Sequence, residues 1–308
     1  MNLRISLQSM VNTSVYYEQQ QTTALTHLQA EASSGNRILT PDDDPLGSVA
    51  VINYNSQDAN FNTDLANINT ATDTLNVGVS TLQNVNNILT QAKQLAIEGT
   101  NSGNDANSLS SLGDQVNALL QQLVTAANTQ NNGQYIFGGT KSSTPPFVTD
   151  ASGNVNYVGG TDRASVPVGS SQAVDTFYTG SEVFQPPSAG SQNAFQVLAG
   201  LRDDLLNTQN LSSPDQMQAL SNSLGPLSTV SDNVLRVAGQ QSASLQNLSG
   251  LQSQLQSVQL QTKQLSGNIQ SADMASVVTE LQAQQNLLQA TLDTTAKMFS
   301  QSLLDFIK

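Results

Sequence analysis

Stepping by seven from Tyr54 lands on Phe61, Ile68, Leu75, Leu82, Leu89 and Ala96, every one of them apolar. Leu65 and Val79 supply an interleaved row, interrupted by Asp58, Thr72, Asn86 and Lys93. Apolar residues every 3.5 positions keep one stripe against a partner helix, and no proline falls between Pro45 and Pro145, so the pattern predicts a helix over 46–98. The stretch from Gly99 to Gly103 breaks it, and Leu109, Leu112, Val116, Leu119 and Leu123 begin a second helix at 3/4 spacing. At 1.5 Å per residue the first helix would be about 75–80 Å long, whereas a compact chain of this size would be roughly 50 Å across. The expectation is a rod.

Composition changes near Gly133. Between there and Gly190 sit seven of the fourteen Phe and Tyr residues and five of the nine prolines. FVTDASGNVNYV (147–158) reads as two short strands around a turn, and ASVPVG (164–169) as a third, which predicts a small β-rich unit at the tip of the rod. Helical spacing then returns. Phe195, Leu198, Leu201 and Leu205 share a face, and Ser213-Pro214-Asp215 is a helix start. From Met217 through Leu220, Leu224, Leu227, Val234, Ala238, Leu245 and Leu248 to Leu255 runs a long helix in which Pro226 predicts a kink or a break.

The two ends mirror each other. Leu3, Leu7, Met10, Tyr17, Ala24 and Leu28 fall on one stripe, broken by Ser14 and Gln21. Met274, Val278, Leu281, Leu288, Leu292, Phe299 and Phe306 fall on another, broken by Gln285, Thr295 and Ser302. For 46–130 and 191–270 the stripes are expected to form an intramolecular bundle core. At the thin ends of a rod, packing between molecules is expected instead. The fold class that follows is mainly α: long antiparallel, coiled-coil-like helices, paired terminal helices and a small β-rich insertion. The expected domains are an N-terminal assembly helix (1–40), a first rod half (41–135), the insertion (136–190), a second rod half (191–272) and a C-terminal assembly helix (273–308).

Charge narrows the function classes. The formal charge is −13, and the ten basic residues are spread singly from Arg4 to Lys308, a distribution that argues against nucleic acid or an anionic membrane as partner. There is no cysteine, hence no disulfide framework or thiolate chemistry. The first residues lack the continuous apolar core and small-residue cleavage site of a general secretory signal, and no apolar run approaches the ~20 residues that span a bilayer.

The one concentration of charge is PDDDP, at 41–45. Thr40, Pro41, Asp42 and Asp43 suit a helix start: a capping hydroxyl, a proline with no N–H to leave unsatisfied, and acids at the positive end of the helix dipole. Asp44-Pro45 offers an alternative start, and Gly35 a C-cap for the preceding helix. A metal-dependent hydrolase built on Asp42, Asp43 and Asp44 is the weak alternative. The acids are contiguous rather than alternating with spacers, and no Glu follows before Glu98. His27 is the only imidazole, which leaves Ser–His catalysis and multi-histidine metal sites little to build on. Gly138-Gly139 and Gly159-Gly160 lack the context of a phosphate loop and read as turns. No cofactor, metal or small-molecule substrate is expected.

MNLRIS, SSGNRILTPDDDPLGS, NNGQYIFGGTKSSTPPF (131–147) and NYVGGTD (156–162) together resemble the flagellin superfamily and, within it, its hook–filament junction branch. The segment at 131–147, close to GxYxFxGxKxxTxPF, is the most specific match. Asn36 stands where the family has Lys, and Asp42 where it has Ser. The resemblance implies a structural protein in a ring of its own copies, between hook-side hook-associated protein 1 and flagellin. It also implies an extracellular flagellar location, export through the flagellar type III channel and an export chaperone. Flagellin itself is the nearest alternative; the 131–147 segment and the small insertion argue against it.

Overall fold

The computed structural model describes residues 2–101, 105–151, 153–169, 172–188 and 190–307, and the side chains of residue 9 and, within those ranges, of 11–297. Seven helices and six short strands occur among them: α1 (Asn2–Ser34), α2 (Pro45–Gly99), α3 (Ala106–Ala127), β1 (Gln130–Asn131), β2 (Gln134–Tyr135), β3 (Phe147–Thr149), β4 (Val155–Tyr157), β5 (Ala164–Pro167), β6 (Ala173–Phe177), α4 (Gly180–Phe184), α5 (Ala194–Leu205), α6 (Ser213–Gln270) and α7 (Met274–Ile307). They form two compact units, Met1–Asn60 with Ser257–Lys308, and Phe61–Gln256. The divisions fall inside α2 and α6 rather than at helix ends.

In the unit Phe61–Gln256 the seven-residue row of α2 is the spine of the core: Ile68, Leu75, Leu82, Leu89 and Ala96 are all buried. Leu112, Val116 and Leu123 of α3, Leu198 and Leu201 of α5, and Leu220, Leu227, Val234 and Leu248 of α6 close on it. Asp105 caps α3 by accepting from the Ser108 N–H at 2.8 Å, and Asn193 with Gln196 forms a reciprocal capping box on α5. α6 runs through Pro226 without a break. Proline removes one backbone hydrogen bond, and Asn222, whose carbonyl loses that partner, is exposed to solvent.

The strands form three antiparallel hairpins, β1–β2, β3–β4 and β5–β6. β1–β2 closes on Asn132 and Gly133, whose φ values of 50° and 78° are those of a type I′ turn. Phe147 pairs with Tyr157 across β3–β4. The sequence suggests a separate β-rich unit here, but the segment has no core of its own. Phe137, Phe147, Val168, Tyr178 and Phe184 belong to the same buried cluster as the helical stripes. The Phe147 ring lies 4.8 Å from Phe195 of α5 and 5.1 Å from Phe184 of α4. Its backbone is held at both polar atoms by the Asn128 side chain, at 2.9 and 3.0 Å.

The two glycine pairs meet each other: Gly160 N–H donates to the Gly138 carbonyl at 2.8 Å. A Cβ on Gly138 would lie 2.7 Å from the Lys141 carbonyl oxygen, so this backbone crossing needs glycine. Nearby, Arg163 bonds Glu182 and Asp175 and stacks over Tyr178 at 4.4 Å, holding β5–β6 to α4. These partners raise the guanidinium pKa further, Glu182 most.

Candidate assembly interface

In the unit Met1–Asn60 with Ser257–Lys308, α1 and α7 form an antiparallel pair. The Gln284 side chain donates to the Gln21 carbonyl at 3.3 Å, and at the base of the pair Asn36 bridges Ser271. The less exposed positions of α1 are Val11, Ser14, Glu18, Gln21, Leu25, His27, Leu28, Glu31 and Ala32; those of α7 are Val277, Leu281, Gln284, Leu288, Thr291 and Thr295. His27 and Glu31 aside, each set follows a heptad, yet about half of each is polar. Val277 is the one fully buried side chain among those described in the two helices.

The stripe read from the sequence therefore divides. Leu28, Leu281 and Leu288 are half-buried in the pair. Tyr17, Val278 and Leu292 point outward, 54%, 55% and 44% exposed. The side chains of Leu3, Leu7, Met10, Phe299 and Phe306 lie outside the described residues. The inward positions missed from the sequence are Val11, Glu18, Leu25, Ala32, Val277, Gln284 and Thr291, because Glu18, Gln284 and Thr291 interrupt their rows.

The connection between α1 and α2 is pinned on every side. Gly35, at φ 71°, ends α1 with its N–H on the Glu31 carbonyl. Arg37 donates its backbone N–H to Gln270 at 2.7 Å, and its guanidinium reaches the Ile269 carbonyl and Asp44. α2 starts at Pro45, not at Thr40–Pro41. Asp44 is its cap, accepting from the Gly47 N–H at 2.9 Å. Thr40, Pro41, Asp42 and Asp43 form a turn ahead of the helix. Asp43 points backwards, accepting from the N–H groups of Leu39 and Thr40 at 2.8 and 2.7 Å and bonding His27 of α1 at 2.9 Å. Backbone donation from Thr40 and Leu39, then His27, holds the Asp43 carboxyl at about 2. The Gly47 N–H, with Arg37, lowers that of Asp44. The sequence-level choice between Thr40 and Asp44 turns on which carboxylate faces the first helical N–H groups, a matter of turn geometry that composition does not carry.

Among the described residues no group of three or more His, Cys, Asp or Glu side chains is placed to hold a metal ion, and no helix is long and apolar enough to cross a membrane. What this unit presents is apolar surface. Val15, Tyr16 and Tyr17 on α1, Leu46, Val49 and Ile52 on α2, Val258, Leu260 and Leu265 on α6, and Met274, Val278, Leu287 and Leu292 on α7 are all exposed. The larger unit exposes only Ile97, Val148, Val158, Leu206 and Leu235 of this kind among the described residues.

Residues 5–142 match the family model of the bacterial flagellin N-terminal helical region. Flagellar hook-associated protein 3 of Salmonella typhimurium is 27% identical over 314 residues, covering 95% of this chain and 98% of that protein. Flagellar hook-associated protein 3 of Escherichia coli K12 is similar at 28% identity, covering 94% of this chain and 97% of its own length. Among solved structures, one described as a flagellar hook-associated protein from Vibrio parahaemolyticus shares the fold at a TM-score of 0.68. It is 20% identical and covers 74% of this chain and 100% of that one. This chain is thus similar over nearly its whole length to hook-associated protein 3.

Proposed function

We propose that this chain is a structural component of the flagellar hook–filament junction. It joins hook-side hook-associated protein 1 to flagellin, in a ring of its own copies. The observation that carries the assembly mode is the outward surface of the terminal pair: Tyr17, Val278 and Leu292 are exposed, while the seam beneath them is half polar. Exposed apolar stripes of this size mark protein–protein contact. A two-helix pair with a half-polar seam gains little from its own packing, and helices draw most of their stability from packing. Neighbouring subunits that cover the stripe complete the core. Leu3, Leu7, Met10, Phe299 and Phe306 extend the same stripes and belong to the proposed interface. Export through the flagellar channel with a dedicated chaperone, and an extracellular place at the junction, belong to the same proposal; the resemblance of segments such as 131–147 to the junction branch supports them.

The test is Val278→Ser with Leu292→Ser. Both side chains are already in water, so the monomer should melt within about 0.5 kcal/mol of the parent, as surface substitutions do. Incorporation at the hook tip should be lost, with flagellin escaping unpolymerised into the medium while export of the variant, assayed in parallel, continues. An exported variant that still supports filaments of normal length would remove these residues from the interface.

A further inference from the structure

Two seven-residue rows run through the unit Phe61–Gln256, and each contains one exception. On α6 the row is Leu220, Leu227, Val234, Gln241, Leu248 and Leu255, apolar at every place but Gln241. On α2 a buried row runs Ala71, Gly78, Val85 and Ala92, with a Cβ at every place but Gly78. The two exceptions face each other. Gln241 is 2% exposed, and a Cβ on Gly78 would lie 2.6 Å from its Oε1 and 3.2 Å from its Cδ. Leu75 and Leu82, both fully buried, flank the notch on α2. Gln241 Oε1 has no hydrogen-bond partner in the protein, so the amide is placed there by shape.

We infer that Gln241 seated in the Gly78 notch is a register key that fixes the axial alignment of α2 against α6. The inference rests on the fold and stands independently of the proposed function. Rows that repeat every seven residues can slip by seven and still bury apolar on apolar. Not every surface pair opposes this slip. Gln252 donates to Asn69 at 2.9 Å, but a slip by seven would bring it to Asn62 or Asn76, which offer the same amide. The key does prevent it. After a slip, Gln241 would meet the Cβ of Ala71 or Val85, and an alkyl side chain would stand over an unfilled glycine. A single polar residue in an apolar heptad row is an established way of fixing register at a cost in stability.

A double-substitution cycle tests the fit, and cross-linking tests the register. Gly78→Ala should lower Tm in the parent, because the methyl strikes the Gln241 amide. In a Gln241→Ala background the same substitution should raise Tm, since alanine is the better helix former. The same sign in both backgrounds would overturn the fit. The chain has no cysteine, so introduced pairs report without interference. Ser231 Oγ lies 2.7 Å from Asn86 Oδ1, which makes Asn86→Cys with Ser231→Cys the native pair, and Val79→Cys with Ser231→Cys the pair slipped by seven. After refolding and oxidation of the full chain, the parent should cross-link only the native pair. With Gly78→Ala and Gln241→Leu, which leave both rows uniformly apolar, the slipped pair should cross-link as well. If that variant cross-links only the native pair, Gln241 does not set the register.

Discussion

Replacing Phe147 by alanine separates a β-rich module from a β-rich segment of one core. The ring is 5% exposed and sits 4.8–5.2 Å from the rings of Phe195, Phe184 and Tyr157, which come from α5, α4 and β4. Truncating a buried phenylalanine costs about 3–5 kcal/mol, and lost aromatic pairs, about 0.5–1.5 kcal/mol each, favour the upper half of that range. For a cooperative unit of this size, Tm falls by about 2–4 °C per kcal/mol. A loss of about 4 kcal/mol therefore means a fall of roughly 8–16 °C. Circular dichroism at the helical wavelength and in the tyrosine near-ultraviolet band, where Tyr157 and Tyr178 report on the hairpins, should show both signals moving together. Phe147→Leu, which keeps most of the volume, should fall by less than half as much. If the tyrosine signal melts early while the helical transition stays where it was, the insertion is a separate module and the single-core argument fails.

Three further outcomes follow. The Asp43 carboxyl sits at about 2 in the folded chain, below its ordinary 3.8. Its contribution is therefore present above the unfolded pKa and lost as pH falls through the folded one. Parent Tm should decline between pH 4 and pH 2, and Asp43→Asn should flatten that decline; parallel acid limbs would remove Asp43 from the account. Pro226→Ala should restore one α6 hydrogen bond and stabilise by about 1–3 kcal/mol in urea unfolding, less whatever the unfolded chain gains in freedom; a destabilised variant would mean that α6 needs its proline. Gly180→Ala should destabilise as Phe147→Ala does, because a Cβ there would strike the rings of Phe147 and Tyr157; a Tm equal to the parent's would show that the rings have room to move.

The sequence was most legible where one periodicity served one partner. The row from Phe61 to Ala96 implies a helix over 46–98, and α2 spans Pro45–Gly99. FVTDASGNVNYV implies two strands around a turn, and β3 and β4 pair as such. β1, β2, β6 and α4 were not legible. The first two are strands of two residues each, and β6, Ala173–Phe177, carries Asp175 and Thr176 where a strand pattern expects apolar residues. Nor could periodicity show that Phe147 and Phe184 share a core with Phe195: aromatic enrichment marks burial, but not the element against which the rings are buried.

The terminal helices are the informative discrepancy. A seven-residue row such as Ser14, Gln21 and Leu28 has two flanks, three residues one way and four the other. On α1 both flanks are mixed: one runs through Tyr17, Ala24 and Glu31, the other through Val11, Glu18, Leu25 and Ala32. On α7 the row Leu281, Leu288 and Thr295 has a more apolar flank, Val278, Gln285 and Leu292, and a more polar one, Val277, Gln284 and Thr291. On α7 hydrophobicity selects the flank of Val278 and Leu292 for burial, yet the pair buries that of Val277, Gln284 and Thr291 and leaves Tyr17, Val278 and Leu292 about half exposed. A chain optimised to be stable alone would make the opposite choice on α7, because each apolar side chain left half exposed forgoes roughly half of the about 1.5–3 kcal/mol that full burial is worth. The arrangement is favourable only if that surface is buried later, against another chain. The mixed seam, held by contacts such as Gln284 to Gln21, keeps the two helices together until then.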